Sequence, residues 1–174
     1  MKKTIKTLDL RIKYYYNVIL KGDTHMSITM TNLQQAFAGE SQAYTTYRYF
    51  AKIARAEGHE DIANHFEHTA EQELLHAHGH LELIVGKITT KDALERAISG
   101  ETHEYTLMYP TMKQQAEEEG NQQAAIEAQH QIEESNEHAE QFAAVLAKAE
   151  KRFAALKKVE ERHANAYKQV LETL

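Results

Sequence analysis

The sequence contains one short stretch twice, and this repeat constrains the fold more than any other feature. Residues 36–44 read AFAGESQAY and residues 97–105 read AISGETHEY. Each copy lies within a long helical pattern and places one glutamate, Glu40 or Glu101, among small and apolar neighbours. Because both copies have helical periodicity, the repeat predicts a chain made of two similar helical halves.

The composition supports long helices. The 174 residues include seven glycines, one proline and no cysteine or tryptophan, so helix breakers are few. The length suits one domain with a substantial core. The lack of cysteine excludes disulfide frameworks, thiolate zinc sites, iron–sulfur clusters and thiol peroxidase chemistry. It is consistent with a reducing compartment, and we expect a cytoplasmic protein.

The charge is unevenly distributed along the chain. The formal net charge of −6 gives no general support for nucleic-acid binding. Residues 1–25 nevertheless hold six basic and two acidic side chains, and they lack the cleavage site of a signal peptide. We interpret residues 1–26 as a peripheral basic extension and residues 27–174 as the main domain. No stretch reaches the roughly 18 apolar residues of a membrane span, so we expect no membrane partner.

Hydrophobic periodicity predicts four helical arms. The first runs from about residue 31 to 57 and the second from about 60 to 85, followed by a loop over 86–91. The third begins near Asp92 and should kink at Pro110, because proline removes one backbone hydrogen bond and clashes with the preceding turn. The remaining residues are rich in Ala, Gln, Glu and Lys, which predicts helix throughout.

Several acidic and imidazole side chains have the spacing of metal ligands. Glu73, on the arm that follows Glu40, shares an apolar helix face with His76. The spacing Glu-x-x-His is weak by itself, since it occurs three times, at Glu73/His76, Glu127/His130 and Glu160/His163. Inward glutamates combined with Glu-x-x-His helices are, however, the ligand set of dinuclear sites in four-helix bundles. Because facing carboxylates in a core repel one another without a cation, we predict a metal site, with iron or manganese favoured.

The fourth arm can close in two ways. If the chain turns at Gly120, Glu134 and His138 return level with Glu101. Glu134 then follows Glu101 at the same interval at which Glu73 follows Glu40. Glu134 and His138 have i, i+4 spacing, however, and Ser135 occupies the Glu-x-x-His position.

The second closure places the turn near residues 133–136, with Ser135 as the helix N-cap. Glu160 and His163 then return level with the third-arm glutamates. We favour this closure, in which the third and fourth helices form a lengthened hairpin, and leave the first as the alternative.

Four motifs together resemble the rubrerythrin family, the di-iron branch of the ferritin-like fold. They are AFAGES, AEQELLHAHGHL, GETHEYTLMYP and KRFAALKKVEERHANAY. The resemblance covers about residues 31–120 and 149–172, and implies an all-α, ferritin-like four-helix bundle. The chain departs from the family pattern because the interval from Glu101 to Glu160 exceeds that from Glu40 to Glu73, an insertion of about 26.

The resemblance implies two bound iron ions, with manganese or zinc as possible substitutes. The implied metal ligands are Glu40, Glu73, His76, Glu101, Glu104, Glu160 and His163. Glu73 and Glu160 would bridge the ions, and Glu104 would exchange with His76 on oxidation. The residues expected to take part in catalysis are Glu104, His76, Tyr47 and Tyr109, the two tyrosines as core aromatics that can donate hydrogen bonds to ligand carboxylates.

The function implied is that of a non-haem di-iron peroxidase, which reduces hydrogen peroxide to water and protects against oxidative stress. Many family members carry a Cys-ligated rubredoxin-type centre, which this sequence cannot form. Electrons would therefore come from a separate rubredoxin or reductase. We expect a homodimer. Two alternatives are an iron-oxidising or iron-holding protein without peroxide turnover, and a metal-free helical interaction module.

Overall fold

The computed structural model describes residues 27–173, and every regular element in this range is helical. The elements are α1 (Ile28–Ala56), α2 (Glu60–Val85), α3 (Thr90–His103), a π-helical segment (Glu104–Met108), α4 (Tyr109–Glu118) and α5 (Gln122–Leu171). The predicted all-α class is confirmed. The chain divides into two compact units between Ile88 and Thr89. The extension predicted for residues 1–26 lies outside the described residues, and a single domain over 27–174 stays a prediction.

The first unit is an antiparallel hairpin of α1 and α2. Ser27 caps α1 by accepting a hydrogen bond from the Met30 backbone N–H at 3.2 Å. Near the turn the two helices pack through small buried side chains, Ala51, Ala54 and Ala63, with Phe66 against them. At the open end of the hairpin, larger side chains pack around Ile84; they are Met30, Leu33, Phe37 and Val85. The central turns of the hairpin, where Glu40 and Glu73 lie, separate these two clusters.

A guanidinium group ties the two helices together beside the turn. The two terminal nitrogens of Arg55 on α1 donate to the carboxylate of Glu67 on α2 at 2.9 and 3.1 Å, and its Nε donates to Glu60. This bidentate pairing lowers the pKa of Glu67 and raises that of Arg55. Because both partners are charged and their geometry is fixed, the contact sets the register of α1 against α2.

Both helical hairpins close with the same backbone motif. Gly58 has φ +84° and Gly120 has φ +73°, in the left-handed region that glycine adopts without strain. After α1, the His59 N–H donates to the Ala54 carbonyl at 2.8 Å, and after α4 the Asn121 N–H donates to the Ala116 carbonyl at 2.8 Å. These are Schellman turns, so the repeat detected in the sequence extends to the hairpin turns.

The turn at Gly120 contradicts the closure that we favoured from the sequence. Residues 133–136 lie inside α5, which is continuous from Gln122 to Leu171. Ser135 is buried and its hydroxyl bonds to a side chain of another helical element instead of capping a backbone N–H. The predicted turn near 133–136 is therefore wrong, and the alternative closure is the observed one. The lengthening lies in α5 alone, which has 50 residues.

Substituting the turn glycine should destabilise the chain, whereas substituting a helix glycine should not. We expect Gly120→Ala to lower the free energy of unfolding by about 1–2 kcal/mol, because alanine is strained in the left-handed region. Gly79→Ala, inside α2, should raise it by about 0.5–1 kcal/mol. At both positions an added Cβ meets no atom within 4 Å, so packing does not confound the comparison. Urea unfolding followed by circular dichroism measures both, and equal effects of the two substitutions would contradict the assigned turn.

In the second unit, α5 runs antiparallel to α3, the π-helical segment and α4. Thr89 and Asp92 form a reciprocal capping box at the start of α3. Lys91, in the first turn of α3, pairs with Glu150 of α5, and Lys113 of α4 donates to Gln129 of α5 at 2.9 Å. These contacts fix the register of α5 from the turn to Glu150. Within residues 27–173, none of the helices combines the length and hydrophobicity needed to span a bilayer.

Candidate metal centre

The first unit brings three predicted ligands together. Glu40 on α1 and Glu73 and His76 on α2 each offer one ligand atom, and these three atoms lie within 4.8 Å of one another. His76 Nδ1 is 3.0 Å from Glu73 Oε2. Glu40 and Glu73 are half-buried, whereas the His76 side chain is 59% exposed. Two carboxylates and an imidazole at this separation can bind one divalent cation.

The second unit brings together a matching set on α3, the π-helical segment and α5. Glu101 Oε2 lies 3.5 Å from His138 Nδ1, and the Ser135 hydroxyl donates to Glu104 Oε2 at 3.1 Å. Glu101 and Glu104 are half-buried. The set therefore combines carboxylate oxygens with an imidazole, as in the first unit.

The turn glycines show why the two sets match. The interval along the chain from Gly58 to His76 equals the interval from Gly120 to His138. On the other side of each turn, the interval from Glu101 to Gly120 is one position longer than the interval from Glu40 to Gly58. One residue is thus inserted between Glu101 and Gly120.

The π-helical segment lies within this interval. The Tyr109 N–H donates to the Glu104 carbonyl five residues earlier, so this hydrogen bond spans one residue more than the hydrogen bond of an α-helix. Pro110 is the second residue of α4, so the helix that we predicted to run through it is divided into α3, the π-helical segment and α4. Glu104, which begins the segment, lies beside Ser135 of α5.

Burial raises the pKa of two side chains in this second set. Desolvation raises the pKa of Glu104, the negative charge of Glu101 adds to the rise, and the Ser135 hydrogen bond opposes it. Desolvation also raises the pKa of Tyr109, and several glutamates strengthen the shift: Glu104, Glu101, Glu127 and Glu134. Tyr109 therefore keeps its phenolic proton near neutral pH and can donate a hydrogen bond.

The raised pKa of Glu104 predicts a pH-dependent stability of the metal-free protein. Because the folded pKa exceeds the unfolded value, the folded state holds more protons, and this contribution to stability is lost as pH rises through the folded pKa. We expect Glu104→Gln to raise the free energy of unfolding at pH 7 by up to about 1 kcal/mol, since the site is partly hydrated. The gain should vanish below about pH 4, where Glu104 is protonated in both states.

Chemical unfolding of the metal-free variants across this pH range measures the effect. Glu140→Gln, at an exposed position of α5, provides the matched control and should show no such trend. A gain for Glu104→Gln that is the same at every pH would contradict the assigned protonation.

The structure does not bring Glu160 and His163 level with Glu101. Glu160 lies farther along the continuous helix α5 than His138, by about 33 Å. Its side chain is 75% exposed, that of His163 is 60% exposed, and the two lie 3.7 Å apart. The predicted register of this pair was wrong because it depended on the turn near residues 133–136.

The two predicted tyrosines lie in different surroundings. Tyr47 is half-buried on α1 with its ring 6.1 Å from that of Phe66, a packing contact between the helices of the first unit. Tyr109 lies at the start of α4, among the acidic side chains of the second unit. The sequence interpretation missed the Ser135 contact, although Ser135 has the same position relative to Gly120 that Glu73 has relative to Gly58.

An orphaned carboxylate oxygen shows that the second set fits a metal ion. Glu101 Oε2 is buried and has no hydrogen-bond partner among the described residues. An unpaired buried carboxylate oxygen is costly, and a bound cation would satisfy it. His138 Nδ1, at 3.5 Å, is too far for a good hydrogen bond but suitably placed to share an ion with Glu101. The side chains present therefore fit metal binding.

Residues 31–146 match the family model of rubrerythrin. The chain belongs to the rubrerythrin family. Rubrerythrin from Porphyromonas gingivalis is 37% identical over 158 residues, which cover 82% of this chain and 76% of that protein. The fold is accordingly all-α and ferritin-like, as the resemblance implied. Glu134 and His138 lie inside the matched region, whereas Glu160 and His163 lie beyond its end.

Two further relatives come from Nitratidesulfovibrio vulgaris. Its nigerythrin is 36% identical, covering 63% of this chain and 61% of that protein, and its rubrerythrin is 40% identical, covering 57% and 59%. The rubrerythrin-family chain described here therefore spans about three fifths of the length of these two relatives. A solved structure of fully reduced nigerythrin is 31% identical over 78% of this chain and 74% of that chain, with a TM-score of 0.37. The family assignment rests on the sequence matches.

Proposed function

We propose that this chain is a non-haem di-iron peroxidase, which reduces hydrogen peroxide to water with electrons from a separate redox partner. The observation that carries the proposal is the convergence of Glu40, Glu73 and His76 ligand atoms within 4.8 Å. Membership of the rubrerythrin family supports it.

We assign ligands to both units. The proposed ligands are Glu40, Glu73 and His76 in the first unit and Glu101, Glu104, Glu134 and His138 in the second. His138 replaces His163 in this assignment because its Nδ1 lies 3.5 Å from Glu101 Oε2. Glu134 replaces Glu160 because it is an exposed residue one helical turn before His138 on α5, and both residues fall within the family match. Carboxylate and imidazole ligands suit iron, with manganese or zinc as possible substitutes.

When bound, two ferrous ions would supply the two electrons that convert one hydrogen peroxide and two protons into two waters. The side chains would hold the ions and deliver the protons. Glu104 suits a proton relay because it is half-buried and the Ser135 hydroxyl donates a hydrogen bond to its Oε2. Tyr109 keeps its proton and can orient a carboxylate, and Tyr47 has the corresponding role on α1.

The electron donor in this proposal is a separate protein, such as a rubredoxin or a reductase. None of the 174 residues is cysteine, so the chain offers no thiolates for a rubredoxin-type iron centre of its own. A proton-coupled reduction at the carboxylate site would therefore need electrons delivered from outside the chain.

The proposal is tested by metal analysis followed by anaerobic stopped-flow absorbance. We expect about two irons per chain and reoxidation of the reduced protein by hydrogen peroxide that is faster than reoxidation by oxygen. Two irons with slow peroxide reaction would refute the peroxidase and favour an iron-oxidising or iron-holding protein. Absence of stoichiometric metal would refute both and favour a metal-free helical module.

A further inference from the structure

The last part of α5 extends past the other helices of its unit. Lys91, in the first turn of α3, pairs with Glu150, so the described residues of α3 and α4 leave the rest of α5 without an opposing helix. This part, residues 151–171, is called the distal segment below and is about 30 Å long. It lies beyond residues 31–146, which match the family model.

One face of the distal segment is apolar and exposed. The exposed fractions are 69% for Phe153, 49% for Leu156, 76% for Tyr167 and 62% for Val170. Together with the polar residues Glu160 and His163, these four side chains recur at alternating intervals of three and four residues. In a heptad, Phe153, Glu160 and Tyr167 take position a, and Leu156, His163 and Val170 take position d. This spacing is that of a coiled-coil seam with apolar outer heptads and one polar central heptad.

We propose that the distal segment pairs in antiparallel orientation with the distal segment of a second copy of this chain. In such a pair, each a position lies opposite a d position of the other copy, and a two-fold axis passes midway between Glu160 and His163. The facing pairs are Glu160 with His163, Leu156 with Tyr167, and Phe153 with Val170.

Charge favours this occupant and this orientation. The two polar seam residues, Glu160 and His163, would face each other twice across the axis, so neither copy needs another partner for them. A parallel pair would instead place Glu160 against Glu160, and Arg152 at position g beside Lys157 at position e of the other copy. In the antiparallel pair, Lys157 lies beside Ala164, and these like-charge contacts disappear.

The apolar area also suits a second copy. Phe153 and Tyr167 contribute four aromatic rings to the pair, which at roughly 150 Å² each remove about 600 Å² from water. Leu156, Val170 and the stems of the flanking side chains add to this. The total approaches the roughly 1,200 Å² at which specific protein interfaces begin.

Sedimentation equilibrium of the full chain as purified tests the association. We expect a dimer at micromolar concentration that Phe153→Lys weakens about 30-fold or more. Ala155→Lys introduces the same side chain on the other face of the distal segment and should leave the dimer intact. A monomeric wild-type chain, or a dimer that persists in the Phe153→Lys variant, would overturn the proposal. Both substituted side chains are exposed, so helicity by circular dichroism should not change.

The polar pair gives a second, independent measurement. His163→Glu should weaken the dimer, because it places glutamate opposite Glu160. The double variant Glu160→His with His163→Glu should restore it. A double variant as weak as the single one would overturn the pairing of these side chains.

Cross-linking decides the orientation, since the chain has no native cysteine to interfere. A mixture of Lys157→Cys and Ala164→Cys copies should yield mixed dimers with a short bismaleimide. A mixture of Arg152→Cys and Lys157→Cys copies, which a parallel pair would join, should yield few. The opposite ranking would overturn the antiparallel arrangement. None of these measurements depends on bound iron or peroxide turnover, so their failure leaves the proposed function untouched.

Discussion

Glu73→Gln is expected to remove most of the bound iron and to lower peroxide turnover by more than about 100-fold. Residues that only hydrogen-bond to metal ligands typically cost about 10- to 100-fold when substituted, and the loss of a ligand should cost more. Glu73 is half-buried on α2, and its Oε2 lies 3.0 Å from His76 Nδ1. Glutamine preserves the shape of the side chain but supplies no negative charge to a cation. Iron per chain, measured by plasma mass spectrometry, and steady-state turnover report the two losses.

The matched control is Glu82→Gln. Glu82 is an exposed residue of the same helix, and the same change there should leave iron content and turnover unchanged. Iron content that stays at the wild-type level in Glu73→Gln would refute metal binding by this cluster. Because Gln and Glu have similar size, we expect both variants to fold.

The second large effect separates two histidines of one helix. His138→Gln should lower iron content and turnover by at least about tenfold, whereas His163→Gln should leave both within experimental error of wild type. The reason is register, because His138 Nδ1 lies 3.5 Å from Glu101 Oε2 while the His163 side chain is 60% exposed and lies near Glu160. The two histidines are about 37 Å apart along α5.

Metal analysis and peroxide turnover of the two variants, side by side, provide the measurement. Loss of iron in His163→Gln with retention in His138→Gln would reverse the ligand assignment in the second unit. It would require Glu160 and His163 to reach a metal despite the observed register of α5. Both variants replace histidine by glutamine within α5, so a difference in helix propensity would not explain such a result.

The first unit was largely predictable from local patterns. The predicted span of α2, residues 60–85, agrees with the observed helix, and α1 begins three residues before its predicted start. Glu40, Glu73 and His76 were assigned to inner helix faces and do converge. A short hairpin with one turn glycine leaves little freedom, because helix periodicity and the position of Gly58 together determine which side chains lie level.

The second unit was harder to predict for reasons that particular residues show. Ser135 has a strong N-cap preference, but local preference is weak compared with a buried contact. Its hydroxyl bonds to Glu104, which is distant from it in the sequence. The residues after Gly120 include no glycine or proline, which agrees with the single helix observed there and gave no support to a turn near residues 133–136.

The single-residue offset was visible in the sequence but could not be interpreted there. Glu101 lies one position farther from Gly120 than Glu40 lies from Gly58. Only the structure shows that a π-helical segment takes up the extra residue and that Glu104 contacts Ser135.

The sequence by itself determined the all-α class, the two-fold repeat, the grouping of Glu40, Glu73 and His76, and the family. Those features depend on periodicity and on residues close together in the chain. Only the tertiary structure decided that α5 runs unbroken from Gln122 and that His138, rather than His163, lies beside Glu101. The register between two long helices depends on where the turn between them lies and on the side-chain contacts that they make. A sequence that favours helix equally at every position specifies neither the turn nor those contacts.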